Sequence, residues 1–246
     1  FVYNEPALKL ILQRLPATLE LALVGLLFSV LIGIPLGVYA GLYPNSPISK
    51  TIMSTSILGF SLPNFWIGLM LILLFAVELK MLPSSGRGPT SSVLGVPLAV
   101  TSWEGIRHLI LPAFTLALFK GSLVIRLARA GTREVMTQDY IRFARAKGLP
   151  RSRIVMVHVL KNIMIPVVTV LGLELGSMIA FAVVTESVFA YPGMGKLLID
   201  SIGRLDRPVI VAYLMFTVIL FVLINFIVDL VYAAIDPRVP HSFQYG

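Results

Sequence analysis

The 246-residue chain contains no cysteine, which excludes a disulfide framework and any thiolate-based metal or redox site. Histidine is nearly as scarce: His108, His158 and His241 are scattered and compose no metal-binding spacing, so no metal site is expected. Charge is thin as well. Charged residues make up 13% of the chain, about half the share of a soluble domain, whereas 57% is hydrophobic and mean hydropathy is +0.90. Lipid is therefore the main solvent. Three enzyme signatures are missing too. Gly193-Met-Gly-Lys196 lacks the upstream glycine and following hydroxyl of a phosphate-binding loop, and there is neither a His-Glu-x-x-His zinc motif nor a Gly-x-Ser-x-Gly nucleophile elbow. The chain is expected to hydrolyse no ATP and to perform no intramembrane enzymology.

The charge that is present is unevenly placed. Residues 126–161 hold nine of the twenty Lys and Arg but only two of the twelve acids, with hydrophobic segments on both sides. In a soluble protein a net charge of +8 would suggest nucleic acid; here membrane topology accounts for it, and no nucleic-acid partner is expected. A short Lys/Arg-rich loop between spans stays in the cytoplasm. Five segments are long enough for a hydrocarbon core that needs about 20 apolar residues: 17–43, 51–79, 109–131, 163–190 and 209–235. With 132–162 inside, 80–108 and 191–208 fall outside and the C-terminus inside. The N-terminus then falls outside, without a start methionine or a cleavable signal, so at least one upstream span is expected to be missing.

Asn4-Glu5-Pro6 reads as a helix start, and Leu8, Ile11, Leu12 and Leu15 at helical spacing predict an interfacial helix before the first span. Gly33, Gly37 and Gly41 in the first span, and Gly172 and Gly176 in the fourth, repeat every four residues. Small residues so spaced let helices approach closely in lipid. Pro35, Pro63, Pro112 and Pro166 lie within or at the ends of spans, where neighbouring helices must satisfy freed carbonyls, and this favours a packed bundle.

Within the basic loop, residues 137–139 offer capping side chains, Tyr140 to Lys147 has helical composition, Gly148 suits a left-handed cap and Pro150 stops continuation. The expected helix has about eight residues, roughly 12 Å at 1.5 Å per residue. One so short is marginal in water and needs something to dock against. Tyr140, Phe143, Ala144 and Lys147 are expected on one face, with Arg142 and Arg145 pointing elsewhere. Spacing alone leaves two alternatives, a docking helix for a soluble partner or a solvated loop that only sets topology.

The segment DYIRFARAKGL at 139–149 resembles the cytoplasmic EAA-type loop of permeases in binding-protein-dependent ABC importers, in the peptide and nickel branch. Arg142-Phe143-Ala144 stands where that motif has Glu-Ala-Ala, and Gly148 takes its glycine. Pro16-Ala-Thr-Leu-Glu20, Ser61-Leu-Pro-Asn-Phe-Trp66, Lys161-Asn-Ile-Met-Ile-Pro-Val-Val-Thr169, Thr185-Glu-Ser-Val-Phe189 with Tyr191-Pro-Gly-Met-Gly195, and Asp236-Pro-Arg238 resemble other segments of the same family in order. The resemblance implies an all-α, polytopic type I ABC importer transmembrane domain occupying 1–246. It implies that Tyr140, Arg142, Phe143, Ala144, Lys147, Gly148 and Leu149 form a coupling helix seated in an ATPase cleft. It further implies a second permease, homologous or identical, with a heterodimer expected, two ATPase subunits that bind ATP and Mg, an extracytoplasmic substrate-binding protein, and residence in the cytoplasmic membrane of a prokaryote. No cofactor is implied for this chain.

Ionisable residues inside spans cost about 2.5 to 3.5 kcal/mol at the bilayer centre and mark a pathway where protein or water receives them. Lys120, Glu174 and Glu186 are the pathway candidates, with Glu20 and Asp229 nearer the ends. Lys120 is expected either to meet a substrate carboxylate or to pair with Glu174, and a purely structural ion pair is the plainer alternative. Beyond the membrane, 191–208 has the pattern of an interfacial amphipathic helix. By the resemblance, Tyr191, Pro192, Gly193, Arg204 and Asp206 neighbour the binding-protein surface and outer gate; a lid that merely caps the bundle is the alternative. The 80–108 loop, with Gly86, Gly88, Pro89 and Pro97, is expected to be mostly irregular with Trp103 near the interface. The expected substrate is a di- or oligopeptide, with glutathione and nickel chelates open. An ion-coupled secondary transporter using Lys120, Glu174 and Glu186 as a proton relay is the alternative of a different class.

Overall fold

In the computed structural model, which describes residues 5–235, the first helix is longer than its sequence pattern suggests. Helix α1 runs unbroken over Ala7–Leu42, 36 residues and about 54 Å at 1.5 Å per residue, so the expected interfacial helix and first span are one rod. Pro16 lies inside it without ending it, because Ile11, Ala17, Thr18 and Leu21 are all buried and hold both sides of the proline against the bundle. Pro6 occupies the N-cap position; Asn4 lies outside the described residues, as do Asp236, Arg238 and His241.

The expected second span is not one straight helix. Ser46 caps α2 (Pro47–Ser61) by accepting the Ser49 amide at 3.0 Å, and α2 ends where Pro63 forces Leu62 into an extended conformation (φ −82°, ψ 140°). Helix α3 (Asn64–Leu71) leaves at 109° to α2 and continues through a π-helical stretch, Ile72–Glu78. Among the described residues four helices are long and apolar enough to cross a membrane, or five if this bent pair counts as one.

The 80–108 segment is not wholly irregular. Strands β1 (Ser91–Val93) and β2 (Val96–Leu98) pair antiparallel, with Ser91 opposite Leu98 and Val93 opposite Val96. Leu94 and Gly95 both take positive φ (52° and 84°), which matches the twist of a two-residue hairpin turn. Helix α4 (Trp103–Thr137) follows, capped by the Ser102 hydroxyl accepting the Gly105 amide at 3.0 Å, with Trp103 exposed at its start. Then come α5 (Asp139–Ala146), the single turn α6 (Arg151–Arg153), a π-helical stretch (Ile154–Val159) and α7 (Leu160–Val188). Helix α8 (Met194–Gly203) supplies the amphipathic helix expected in 191–208, and α9 (Arg207–Ile235) closes the order.

The glycine stripe on α1 does what close packing requires. A Cβ on Gly33 would lie 2.8 Å from the Val124 side chain, on Gly37 2.6 Å from Ala128 and on Gly41 2.6 Å from Thr132, so α1 and α4 meet backbone to backbone along 33–41. Gly172 and Gly176 play the same part against Val228 and Phe221 of α9.

Two apolar clusters fill the bundle. One, at the end that carries the hairpin and α8, includes Leu21 and Ala22 of α1, Leu109 and Leu116 of α4, Met178 and Ile179 of α7, Phe189 and Tyr191. The other, at the end that carries α5, includes Ile34 and Val38, Val124 and Ala128, Val167 and Leu171, and Ile141 and Ala144. Between them three of the long helices contribute polar side chains instead: Ser29 from α1, Lys120 and Ser122 from α4, Glu174 and Ser177 from α7. The bundle has a polar waist.

Candidate functional site

Three groups of residues carry the candidate chemistry, one at each end and one at the waist. At the first end, α5 has the length expected of it and ends in a Schellman arrangement: the Leu149 amide donates to the Ala144 carbonyl at 3.2 Å and the Gly148 amide to the Arg145 carbonyl at 2.9 Å. Gly148 has φ +78°, the left-handed conformation this geometry demands. The start differs from expectation. Gln138 is the N-cap and contributes no side-chain bond, because the Thr137 hydroxyl donates back to the Glu134 carbonyl at 2.7 Å and Asp139 accepts from Arg142 at 3.3 Å.

The contact face also needs correcting. Ala144 is 4% exposed and turns inward with Ile141 at 0%, joining the cluster that reaches α1, α4 and α7. The Ala144 side chain is thus enclosed by its own chain. The outward face consists of Asp139, Arg142, Phe143 and Ala146, flanked by Tyr140, Arg145 and Lys147, with the Lys147 ammonium 4.6 Å from the Phe143 ring centroid and Leu149 half-buried. Ile141 was not singled out from sequence, although its place three residues before Ala144 marks both as one face. A short helix with one face fixed to the spans and an aromatic, cationic face outside can transmit a push.

At the waist, Lys120 pairs with Glu174, as one of its two expected arrangements requires, and donates to the Ser177 hydroxyl at 2.7 Å. Ser177, unforeseen, also donates to Glu174 at 2.7 Å. Phe119 stacks on Phe60 of α2 with centroids 5.0 Å apart, Lys120 lies 5.3 Å from the Phe119 ring and Arg126 lies 5.3 Å from the Phe60 ring. A separate cavity of about 220 Å³ between α1, α2 and α4 is lined by no charged residue.

At the opposite end the third pathway candidate is a structural tie. Glu186 is wholly buried, accepts the Thr18 hydroxyl at 2.6 Å and the Lys196 amide at 3.0 Å, and so completes the N-terminus of α8, where a carboxylate belongs electrostatically. Gly193 is required there, since a Cβ would run into that carboxylate. With every approach filled, Glu186 lines no path. Glu20 is a second hub: it accepts Arg87 at 2.7 Å, the Ala99 and Val100 amides at 2.6 and 2.8 Å, and the Tyr191 hydroxyl at 3.3 Å. Burial and the adjacent Glu20 carboxylate push the Tyr191 phenol well above its ordinary range, which keeps it a donor. Tyr191, Gly193 and Asp206 are therefore buried ties and not a docking surface; Pro192 is half-buried, its carbonyl accepting Arg14 at 3.4 Å, and Arg204 is exposed. Thr18 and Arg87 went unrecognised because their partners are 168 and 67 residues away.

Among the described residues no group of three or more His, Asp or Glu stands where it could hold a metal ion. The same arrangement of helices recurs in the inward-facing MetNI methionine ABC transporter (TM-score 0.73, 20% identity, 95% of this chain and 99% of that one) and in an amino acid ABC transporter crystallised with histidines (TM-score 0.66, 16% identity, 92% and 94%). The fold is thus that of an ABC transporter's membrane-spanning subunit. Sequence narrows the class. Residues 33–241 match the model of the binding-protein-dependent transport system inner membrane component, and the chain belongs to that family. It is 41% identical over 243 residues to the di/tripeptide transport system permease protein DppB of Pseudomonas aeruginosa (strain UCBPP-PA14), covering 94% of this chain and 72% of that one. It is 38% identical over 244 residues to the dipeptide permease DppB of Escherichia coli K12 (93% and 72%) and 40% identical over 238 residues to the oligopeptide permease AppB of Bacillus subtilis 168 (97% and 73%). The chain is a multi-pass permease subunit of an ATP-driven importer; ATP hydrolysis belongs to other subunits.

Proposed function

We propose that this chain passes short peptides across the cytoplasmic membrane, as one half of a permease pair whose alternating access is driven through α5. The observation that carries this is the construction of α5: an inner face of Ile141 and Ala144 fixed in the cluster shared by α1, α4 and α7, and an outer face of Arg142, Phe143 and Ala146 that is exposed among the described residues. Such a helix, marginal alone, moves with the spans when a partner moves it. The peptide assignment follows the relatives, which are named di/tripeptide, dipeptide and oligopeptide permeases.

In this reading 1–246 is a single transmembrane domain, and the basic 132–162 loop and the C-terminus lie in the cytoplasm, as the positive-inside bias favours. The hairpin, α8 and Arg204 then face outward toward an extracytoplasmic binding protein. The partners are a homologous second permease forming a heterodimer, and two ATPase subunits that bind ATP and Mg and receive Tyr140, Arg142, Phe143, Lys147 and Leu149, with Ala144 and Gly148 shaping the helix. Lys120 and Glu174 line the path. The test is reconstitution of the whole complex in liposomes with peptide-loaded binding protein. Stimulated ATP hydrolysis and peptide uptake are expected. Uptake that needs an ion gradient and no ATP would overturn the mechanism; transport of glutathione or a nickel chelate with no peptide uptake would overturn the substrate.

A further inference from the structure

The buried carboxylates differ in how completely they are satisfied. Glu20 and Glu186 each accept at least three hydrogen bonds and are sealed, whereas Glu174 has only Lys120 and Ser177 and its side chain keeps 28% of its exposure. Its pair is thus open on one side. Phe119, next to Lys120 on α4, stacks on Phe60, and the exposed Leu173 and Phe181 flank Glu174 on α7. The outward faces of the other long helices are different in kind: α9 carries no charge between Pro208 and Val228, and α1 none between Leu21 and Leu42. A charge facing hydrocarbon at mid-span is costly, so the side on which Glu174 stays open is one that water or protein covers.

We propose that Lys120, Glu174 and Ser177 form a transient subsite for the charged termini of a short zwitterionic peptide, which inserts by exchanging with the ion pair. The peptide carboxylate takes the Lys120 ammonium, the peptide ammonium takes Glu174, and Ser177, already bonded to both side chains, holds their bases together. The chemistry is one of balance. Opening a sheltered ion pair is prohibitive if either member is left bare, and a dipolar solute replaces both contacts at once with no change of net charge. A solute with one charge satisfies only one member and leaves its neighbour unpaired. The waist thereby favours zwitterions whatever their side chains, and releases them when the pair closes again. This inference rests on the peptide reading given above.

The test compares the complete reconstituted complex carrying the native chain, Lys120→Met, Glu174→Gln, or both substitutions together, using one binding protein throughout and alanyl-alanine as the probe. A purely structural pair is impaired by either single change and rescued by the neutral double. A subsite is not: the double variant assembles with its partners yet shows at least a tenfold rise in KM for uptake, whereas Lys120→Arg retains most uptake. Native KM in the double variant would overturn the proposal. As a check that needs no variant, a photoreactive dipeptide with free termini, irradiated in the working native complex, should label α4 and α7 around Lys120 and Glu174 and be competed by alanyl-alanine. Labelling confined to other helices would overturn it too. Absence of peptide uptake by the native complex would remove the peptide reading and this inference together; normal uptake with no effect of the double substitution removes the inference alone.

Discussion

Ile141→Ala is the change that most directly asks whether α5 is a mechanical joint. Ile141 is fully buried among residues from α1, α4 and α7. Shortening it removes three carbons at about 0.8 kcal/mol each, and the space left behind brings the usual total to about 2–5 kcal/mol. An eight-residue helix has almost no stability of its own to offset this. A loss of about 3 kcal/mol multiplies the undocked population roughly a hundredfold, at about 1.4 kcal/mol per factor of ten. Ile141→Val, which removes one methyl group, should cost only about 0.5–1.5 kcal/mol. In proteoliposomes the ATP hydrolysed per peptide imported should rise steeply for the alanine variant and slightly for valine. Hydrogen exchange at the amides of 141–149 should speed up in the same order, because the bonds from Ile141 to Gln138 and from Leu149 to Ala144 are made only while the helix is formed. Unchanged stoichiometry in the alanine variant, with exchange demonstrably faster, would refute the idea that anchoring this face couples the two events.

Gly193→Ala should lower the melting temperature in detergent clearly, since the added methyl group must push the Glu186 carboxylate off Thr18 and the Lys196 amide, whereas Gly203→Ala, which meets open space, should leave it within a few degrees. Glu20→Gln should weaken a buried pair and free the hairpin segment; breaking such pairs costs about 3–5 kcal/mol, and limited proteolysis should cut within 80–102 at a rate well above that of the native protein. Gly148→Val meets no neighbour, so its cost is the left-handed φ alone, roughly 1–2 kcal/mol; exchange should quicken at the end of α5 while the spans keep their protection. Ala144→Glu places a charge in the inner cluster and should reduce the yield of assembled complex far more than Ala146→Glu, which lies on the exposed face.

What could be read from the chain follows from how local each signal is. The short helix α5 was legible because its composition and Gly148 lie within ten residues, although the capping expected at 137–139 is not made, and the glycine stripes were legible because four-residue spacing fixes a face. The break at Leu62 was harder: Pro63 was recognised as a kink site, but hydropathy is continuous across it and does not register a 109° turn. Periodicity placed Ala144 with Tyr140 and Phe143, yet a face is not a direction, and only the long-range cluster turns Ala144 inward. The Lys120–Glu174 pair was one of two arrangements expected from sequence, because each is an expensive charge inside a span. Arg87 offered no comparable clue, lying in a loop whose hairpin is held by a carboxylate on a different element.

The polar layer through Ser29, Lys120 and Glu174 has a further meaning for the subunit as a machine. Apolar cohesion grows with buried area, and here it is gathered into two masses with a thin stratum of hydroxyls and one ion pair between them. A beam notched at its middle flexes at the notch. Three long helices share that notch at one level, so a displacement at α5 that tilts one mass against the other concentrates its bending within about one turn of Lys120, leaving both masses internally undisturbed. On the proposal made above for Lys120 and Glu174, solute and flexure occupy the same plane: whatever separates the two charges also loosens the seam about which the halves rotate.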